Sequence, residues 1–526
     1  MAEDTTDSTT TPVAEAQPVP VTYDGRHRLL TSNTDINRTN ILEVLDIALG
    51  IHKTNAMDED WLWRYYKGWQ PILDRTKDVR PEICNRVVEN RANQIVSFKV
   101  GYLVGEPVVY TARSGADSEA SGEADDEMSR RVQRLNDMMV AEDKAAEDRD
   151  LVQWQMVCGT SYRLVLPDKD LNTRPDDVPF EIHTLDPRHT FVVYCNDVAK
   201  EPVLGVTYVK DEQTSREIYS CYTDTTMFTI TNHQIVSEQP HSLGAIPIVE
   251  YPANPERMGC FEAVLPLLNA INLMESNRLD GVEQFVQALM VFKNVDIDAK
   301  NYREMLALGA IKINSAEGVD GSVDMLVSTL DQGQTQVLVD NLYSTALDIC
   351  GMPRNQGGGA STSDTGAAVM LRDGWSLAET RAKDSELTFK RSERRFLGIV
   401  LGICDTAEHL KLSQRNVDIK FTRRNYEAIQ SKAQVFSTLM GVAGLHPRLA
   451  FEYCGLFSDP ETAYADSKSY SEAKAATAQA LFASPQGNDA GDGDSIAGDG
   501  ASVAGGADAT RDTKANPTEG TGNGND

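Results

Sequence analysis

Two amphipathic runs flanking a short β-like insert constrain this chain more than any other feature. From Cys260 the segment CFEAVLPLLNAINLMESNRLDGVEQFVQAL places apolar residues at Phe261, Val264, Leu265, Leu268, Ile271, Leu279, Val282, Phe285, Val286 and Leu289. That spacing predicts a helix with a single apolar stripe, long enough to project from a globular body. Pro266 is placed to bend its first turns, and Gly281 weakens it further on. A compact β-containing insert follows, Met290 to Leu330, with MVFKNVDID and AIKIN as strand candidates, and then a second helical run, QTQVLVDNLYSTALDICG. Helix, insert, helix is the layout of an antiparallel pair with a module at its tip. Such a pair has few partners of its own for its apolar stripes and can line a ring whose subunits meet head to tail by contacts that close.

Upstream, residues 31 to 110 read as helical, including the aromatic WLWRYYKGWQPIL and the run NRVVENRANQIVSFKVGYLVGEPVVY. In the latter, Val87, Val88, Ile95, Val96 and Phe98 fall near helical spacing, and Gly101, Gly105 and Pro107 end the helix before a hairpin that starts with VVY. A polar stretch from Ala116 to Glu127, ADSEASGEADDE, reads as a solvated loop, followed by a helix from Met128 to Val157. Seven short runs then alternate between apolar and polar residues: SYRLVLP, FEIHTLDP, TFVVYC, VLGVTYVK, EIYSCYT, MFTITN and IPIVEY. They predict a mostly antiparallel sheet of five to seven strands.

Beyond the second helical run lies the glycine-rich MPRNQGGGASTSDTG, then a long helix from Ala367 to Leu412. Its stripe is Leu371, Trp375, Ala378, Ala382, Phe389, Phe396, Ile399, Val400 and Ile403, with Glu379–Lys383 and Glu386–Lys390 spaced four apart in the favourable acid-first order. A short strand, VDIKFTR, and helical runs from Glu427 to about Phe482 complete the ordered part. The ends, 1–30 and 484–526, have the composition of disordered segments. The first carries acids where a secretory signal needs Lys or Arg, so it reads as a disordered arm on a cytoplasmic product.

Composition narrows the function by exclusion. The 526 residues exceed the roughly 250–300 that one core supports, so several packed units are expected. A net charge of −29 argues against a broad basic face that grips nucleic acid. No run reaches the ~18 apolar residues of a membrane span. The cysteines Cys84, Cys158, Cys195, Cys221, Cys260, Cys350, Cys404 and Cys454 stand singly and read as free thiols. No Walker A loop, GxSxG elbow, HExxH helix or dinucleotide fingerprint is present. His183 and His189 lie six apart around a turn, and Asp296 and Asp298 lack the glycine and distal Glu of a calcium loop. Accordingly no catalytic residue, cofactor or metal is expected. Glycines 357–359 lack a preceding strand and a following Lys-Ser or Lys-Thr, so they predict a mobile loop rather than a nucleotide cradle.

The order of these segments resembles the portal proteins of long-tailed bacteriophages of Gram-positive hosts. YYKGWQPIL with NRVVENRANQIVSFKVGYLVGEPV looks like that family's opening helices and first strand, and LDPRHTFVVYCND like its sheet segment. CFEAVLPLLNAINLMESNRLDGVEQF looks like its first stem helix, and SDTGAAVMLRDGWSLAETRAKDSELTFKRSERRF like the long helix after its tunnel loop.

The resemblance implies an α+β portal-type fold with wing, two-helix stem, small α/β clip and helical crown, assembled as a ring. It divides the chain into a disordered arm 1–30, a wing 31–255, a first stem helix 256–289, a clip 290–331 and a second stem helix 332–351. A tunnel loop 352–366, a long wing helix 367–412, a crown 413–483 and a disordered tail 484–526 follow. It implies a dodecamer at one capsid vertex of the virion, formed in the host cytoplasm, through which double-stranded DNA is packaged and ejected. The implied partners are the terminase large subunit, the head-completion adaptor, and the major capsid and scaffolding proteins, with no membrane. Arg354, Asn355, Gln356, Gly357, Gly358, Gly359, Ser361, Thr362, Ser363 and Asp364 would face the DNA, and Lys300, Arg303 and Glu304 would meet the clip's partners. A structural head or tail-junction protein without a channel, or an enzyme with an unrecognised site, is the alternative.

Overall fold

A computed structural model describes residues 25–113, 122–168, 178–211, 216–286, 289–293, 322–326, 332–353, 374–422, 429–457 and 460–482. The chain divides into two units, Met1–Ala463 and Tyr464–Asp526; the second is described only where the helix Pro460–Phe482 runs through it.

The first unit mixes helices and sheets. It opens with β1 (Leu29–Thr31), α1 (Ile41–Tyr66), α2 (Arg91–Val104), β2 (Val109–Ala112), α3 (Gly122–Ala141) and α4 (Lys144–Cys158). Eight strands follow: β3 (Thr160–Pro167), β4 (Phe180–Leu185), β5 (Thr190–Cys195), β6 (Pro202–Lys210), β7 (Glu217–Tyr222), β8 (Thr226–Thr231), β9 (Gln234–Pro240) and β10 (Ile248–Pro252). Then come α5 (Leu265–Val286), β11 (Leu289–Lys293), β12 (Ser322–Leu326), α6 (Gln332–Cys350), α7 (Trp375–Glu408), β13 (Val417–Lys420), α8 (Ile429–Met440) and α9 (Pro447–Cys454). The helix Pro460–Phe482 is α10.

All seven alternating runs are strands, but they form two sheets rather than one. The larger has the order β1-β5-β6-β7-β8-β9, and β10-β3-β4 is separate. The division follows from β5, whose residues are buried on both sides. Phe191 and Val193 face a cluster with Val44, Leu45 and Ala48 of α1, while Val192 and Tyr194 join Tyr162, Leu164 and Ile248 of the smaller sheet. A strand covered on both faces needs a layer on each.

Several expectations are corrected. Residues 25–30, expected in the disordered arm, are ordered: Leu29 pairs in parallel with Val193 of β5, and Arg26 is buried. The expected acidic loop becomes helical from Gly122. The single helix expected from Met128 to Val157 is two helices, broken at Asp143, whose φ of 50° is left-handed. Instead of entering a hairpin, β2 pairs with β13 far along the chain, Val417 opposite Ala112. Pro266 stands in the first turn of α5, where a missing N–H costs nothing. The long helix ends at Glu408 rather than Leu412, because His409 turns left-handed at φ 55°. Its residues 367–373 lie outside the described ones. On the described part, Ala378, Ala382, Phe389, Phe396, Ile399, Val400 and Ile403 are all buried, and both expected acid-first pairs form at 3.6 Å. All eight cysteines are unpaired thiols.

The centre of this unit is ionic. Glu393 of α7 is fully buried and takes Lys144 Nζ at 2.9 Å and Arg163 Nη1 at 3.3 Å, while the hydroxyls of Tyr110 and Tyr251 donate to it at 2.5 and 2.7 Å. Asp148 binds the same two cations, Lys144 at 2.5 Å and Arg163 through Nη2. Two positive and two negative charges thus join β2, α4, β3, β10 and α7. Burial alone would raise the Glu393 carboxyl, but Lys144 and Arg163, with the two tyrosines, outweigh it and hold it down at about 2.

A second polar contact fixes α5. Asn272, Ser276 and Asp280 are four apart and accept the backbone N–H groups of Glu89 (2.8 Å), Val87 (2.9 Å) and Asn85 (2.7 Å). Four helical residues rise about 6 Å, and two extended residues span about 6.6 Å, so strand-like backbone and helix stay in step over the three bonds. Arg75 and Lys77 reach the Asp280 carboxylate, each at 3.0 Å. This capture is why the helix expected from Asn85 starts only at Arg91, with Asn90 capping the N–H of Asn93.

Two outcomes follow. Because its carboxyl is depressed, Glu393 contributes stability that is complete above about 4.5 and is lost as pH falls through about 2. Glu393→Gln should cost about 3–5 kcal/mol at neutral pH. The urea midpoints of wild type and variant should converge between those two pH values, and a gap independent of pH would refute the assignment. Asp280→Ala strips Asn85 of its acceptor and should cost about 1–3 kcal/mol. Hydrogen exchange should show the amides of Asn85, Val87 and Glu89 opening together, whereas Asp280→Asn, which keeps an acceptor oxygen, should spare most of their protection.

Candidate assembly surface and channel elements

Helix α5 changes character along its length. In its first turns the buried residues are apolar: Leu265, Leu268 and Ile271. From Asn272 onward the buried positions are polar, Asn272, Ser276 and Asp280, because that side is taken by the 85–89 segment. The apolar side chains of the same turns, Leu273, Leu279 and Val282, point out and are 43–48% exposed. The single stripe expected from the sequence is therefore split: its first half enters the core, while Leu279 and Val282 stay partly exposed among the described residues.

Helix α6 packs against α5 and repeats the pattern. Val339, Ala346, Leu347 and Cys350 are buried, whereas Val337, Leu338 and Ile349 are 47–60% exposed. Tyr343 anchors it to α2, donating to Gln94 at 3.0 Å with the Arg91 guanidinium 4.1 Å above its ring. At the root of the pair, Cys350 Sγ donates to the Cys260 carbonyl at 3.5 Å, and Arg26 binds Glu262 at 2.8 Å. Burial pushes the Glu262 carboxyl up to about 7 despite the adjacent arginine.

Beyond α5, β11 pairs antiparallel with β12, Leu289 opposite Leu326 and Lys293 opposite Ser322. MVFKNVDID thus supplies a strand, paired with SVDML; AIKIN lies outside the described residues, as do Lys300, Arg303 and Glu304.

The loop residues Arg354, Asn355, Gln356, Gly357, Gly358, Gly359, Ser361, Thr362, Ser363 and Asp364 also lie outside the described residues, but the ends of their segment are fixed. Gly351 ends α6 with φ +67°, and the Met352 N–H bonds back to the Leu347 carbonyl at 2.9 Å. Gly374 begins α7 with φ +79°, and a Cβ built on it would lie 3.8 Å from the Pro353 Cα. Exit and return are therefore adjacent.

Among the described residues no group of three or more His, Cys, Asp or Glu could hold a metal, and no helix is long and apolar enough to cross a membrane. His183 instead contacts Glu181 at 3.3 Å, and His189 lies 3.7 Å from Asp186. The sequence reading missed the row Asn272, Ser276, Asp280. Its signal is three polar residues at one-turn spacing within an apolar helix.

Comparison with known proteins fits this arrangement. The family model described as "Phage portal protein, SPP1 Gp6-like" matches residues 46–479. A relative from Bacillus phage SPP1, named "Portal protein", is 24% identical over 421 residues, covering 72% of this chain and 73% of its own. A solved structure titled "Neck of empty GTA particle computed with C6 symmetry" aligns with a TM-score of 0.42 and 12% identity, over 76% of this chain and 94% of that one. With the family match extending from α1 into α10, the chain belongs to the phage portal proteins of the SPP1 Gp6-like family.

Proposed function

We propose that the chain assembles into a closed dodecameric ring at a capsid vertex and forms the channel for packaging and ejecting double-stranded DNA. The carrying observation is the outward apolar set on the paired helices: Leu273, Leu279 and Val282 on α5, with Val337, Leu338 and Ile349 on α6. Large apolar side chains left exposed on two paired helices offer surface for a partner to cover. Supplied by neighbours in a heterologous, closing arrangement, that cover generates a ring.

In this reading α5 and α6 are the stem, and the module containing β11 and β12 is the clip that meets the terminase large subunit and the head-completion adaptor. Residues 31–255 with α7 make the wing, which meets capsid and scaffolding proteins, and the helices α8 to α10 belong to the crown. The segment from Met352 to Gly366 is the tunnel loop. A net charge of −29 suits a conduit, because the wall repels phosphates and lacks the electrostatic attraction behind non-specific DNA affinity. The role is structural, with no catalytic residue assigned.

Light scattering after size exclusion should give a mass many times 57.8 kDa, and particles viewed end-on should show a central hole. Leu279→Lys together with Val282→Glu should shift the mass toward the single chain without lowering its unfolding midpoint. An unchanged oligomer would remove these side chains from the interface, and a compact assembly without a hole would favour a non-channel structural role. For the loop, replacing Gly357, Gly358 and Gly359 with valine should leave the ring intact and reduce the DNA packaged per head, while Arg354→Ala acts mildly. Full heads at the normal rate with stiffened loops would show that the segment is a passive linker.

A further inference from the structure

Among the described residues, a concavity on this acidic chain holds a surplus of positive charge. It measures about 390 Å³ and lies between α7, the β5–β6 turn and the segment leading into β1. Arg28, Lys200, Arg257, Arg391 and Arg395 stand on its wall. Arg257 is satisfied, binding Glu250 through Nε at 2.6 Å and Nη2 at 3.0 Å. Tyr194 also donates to Glu250, and Arg395 reaches Glu201 at the rim at 3.2 Å. Those are the carboxylates engaged by the wall. Among the described residues, Arg28, Lys200 and Arg391 have none within ion-pair distance.

Arg28 sharpens the point. Its guanidinium lies 5.4 Å from the centre of the Tyr194 ring, and its Nε is buried with no hydrogen-bond acceptor. Buried donors are nearly always satisfied, so one with no partner among the described residues is open to a water or an ion. The donors on this wall come from three separate segments. A carboxylate offers two coplanar oxygens, whereas a tetrahedral oxyanion presents acceptors in several directions at once.

We propose that this concavity is a phosphate-binding site, in which Arg28, Lys200 and Arg391 hold the phosphoryl oxygens of inorganic phosphate or of a DNA phosphodiester. The site is built within one subunit, so it stands independently of ring formation. It also gives an otherwise repulsive surface one place where a phosphate is retained rather than passed along.

The test uses the full chain. Calorimetric titration with inorganic phosphate and anisotropy of a short labelled DNA duplex are each measured for wild type, Arg391→Glu, Lys200→Glu and Arg130→Glu. The last alters an exposed cation elsewhere by the same charge. Loss of a charged hydrogen bond predicts about a tenfold weakening in the two pocket variants. The control should change little. Binding of both ligands, or of either alone, with that pattern supports the site and identifies its source of phosphate. No binding of either ligand, or equal losses in all three variants, overturns it. Displacement by an oligoglutamate peptide as effective as phosphate would also overturn it, since the pocket would then select charge rather than phosphoryl geometry. Urea midpoints and light scattering on the same variants separate this result from unfolding and from failure of the ring.

Discussion

Glu393 meets two cations and two tyrosine hydroxyls at the point where α7 crosses the three-stranded sheet and α4. Removing four charges from water carries a desolvation cost of several kcal/mol per ion that attraction alone barely offsets. What the cluster supplies is position. Apolar residues tolerate a shift along a helix, whereas four donors aimed at one carboxylate accept α7 in a single register. The residue count between Trp375 and Glu393 therefore sets where the helix begins, and with it where the preceding segment returns to the body.

The polar row on α5 acts in the same way on the other side of that segment. Asn272, Ser276 and Asp280 each accept a backbone N–H of residues 85–89, so those three bonds follow the path of that segment, while Arg75, Lys77 and the Asn85 side chain add to the hold on Asp280. By occupying that side of the helix, the row sends Leu273, Leu279 and Val282 outward. The exposed apolar surface and the buried polar one are two aspects of a single helix orientation.

Much of this was legible in the sequence, for reasons that can be traced. Alternation over runs of six to eight residues identified every strand from β3 to β8 and β10, because each buries at least one face. β9 was missed: it is an edge strand whose side chains are largely exposed, so QIVSEQP carries no clear alternation. β1 was missed because three residues are too short to show a period. The start of α2 was misplaced because the Val87 and Val88 spacing looks helical, and only the distant partners on α5 overrule it. Two sheets were read as one because strand partners are not encoded in periodicity. The assembly surface was half legible: its apolar residues were in the stripe, but which of them the subunit covers depends on polar neighbours almost two hundred positions away.

The meeting of Pro353 and Gly374 has a consequence for how the segment between them can change. When the two ends of a loop are held together by the fold, added residues alter only the entropy of closing it, and doubling the length costs only about 0.6 kcal/mol. With Pro353 and Gly374 held side by side, a change in the number of residues between them costs the bracketing helices little. Related chains could match this segment to different spans by insertion and deletion alone, while the body that carries it stays the same.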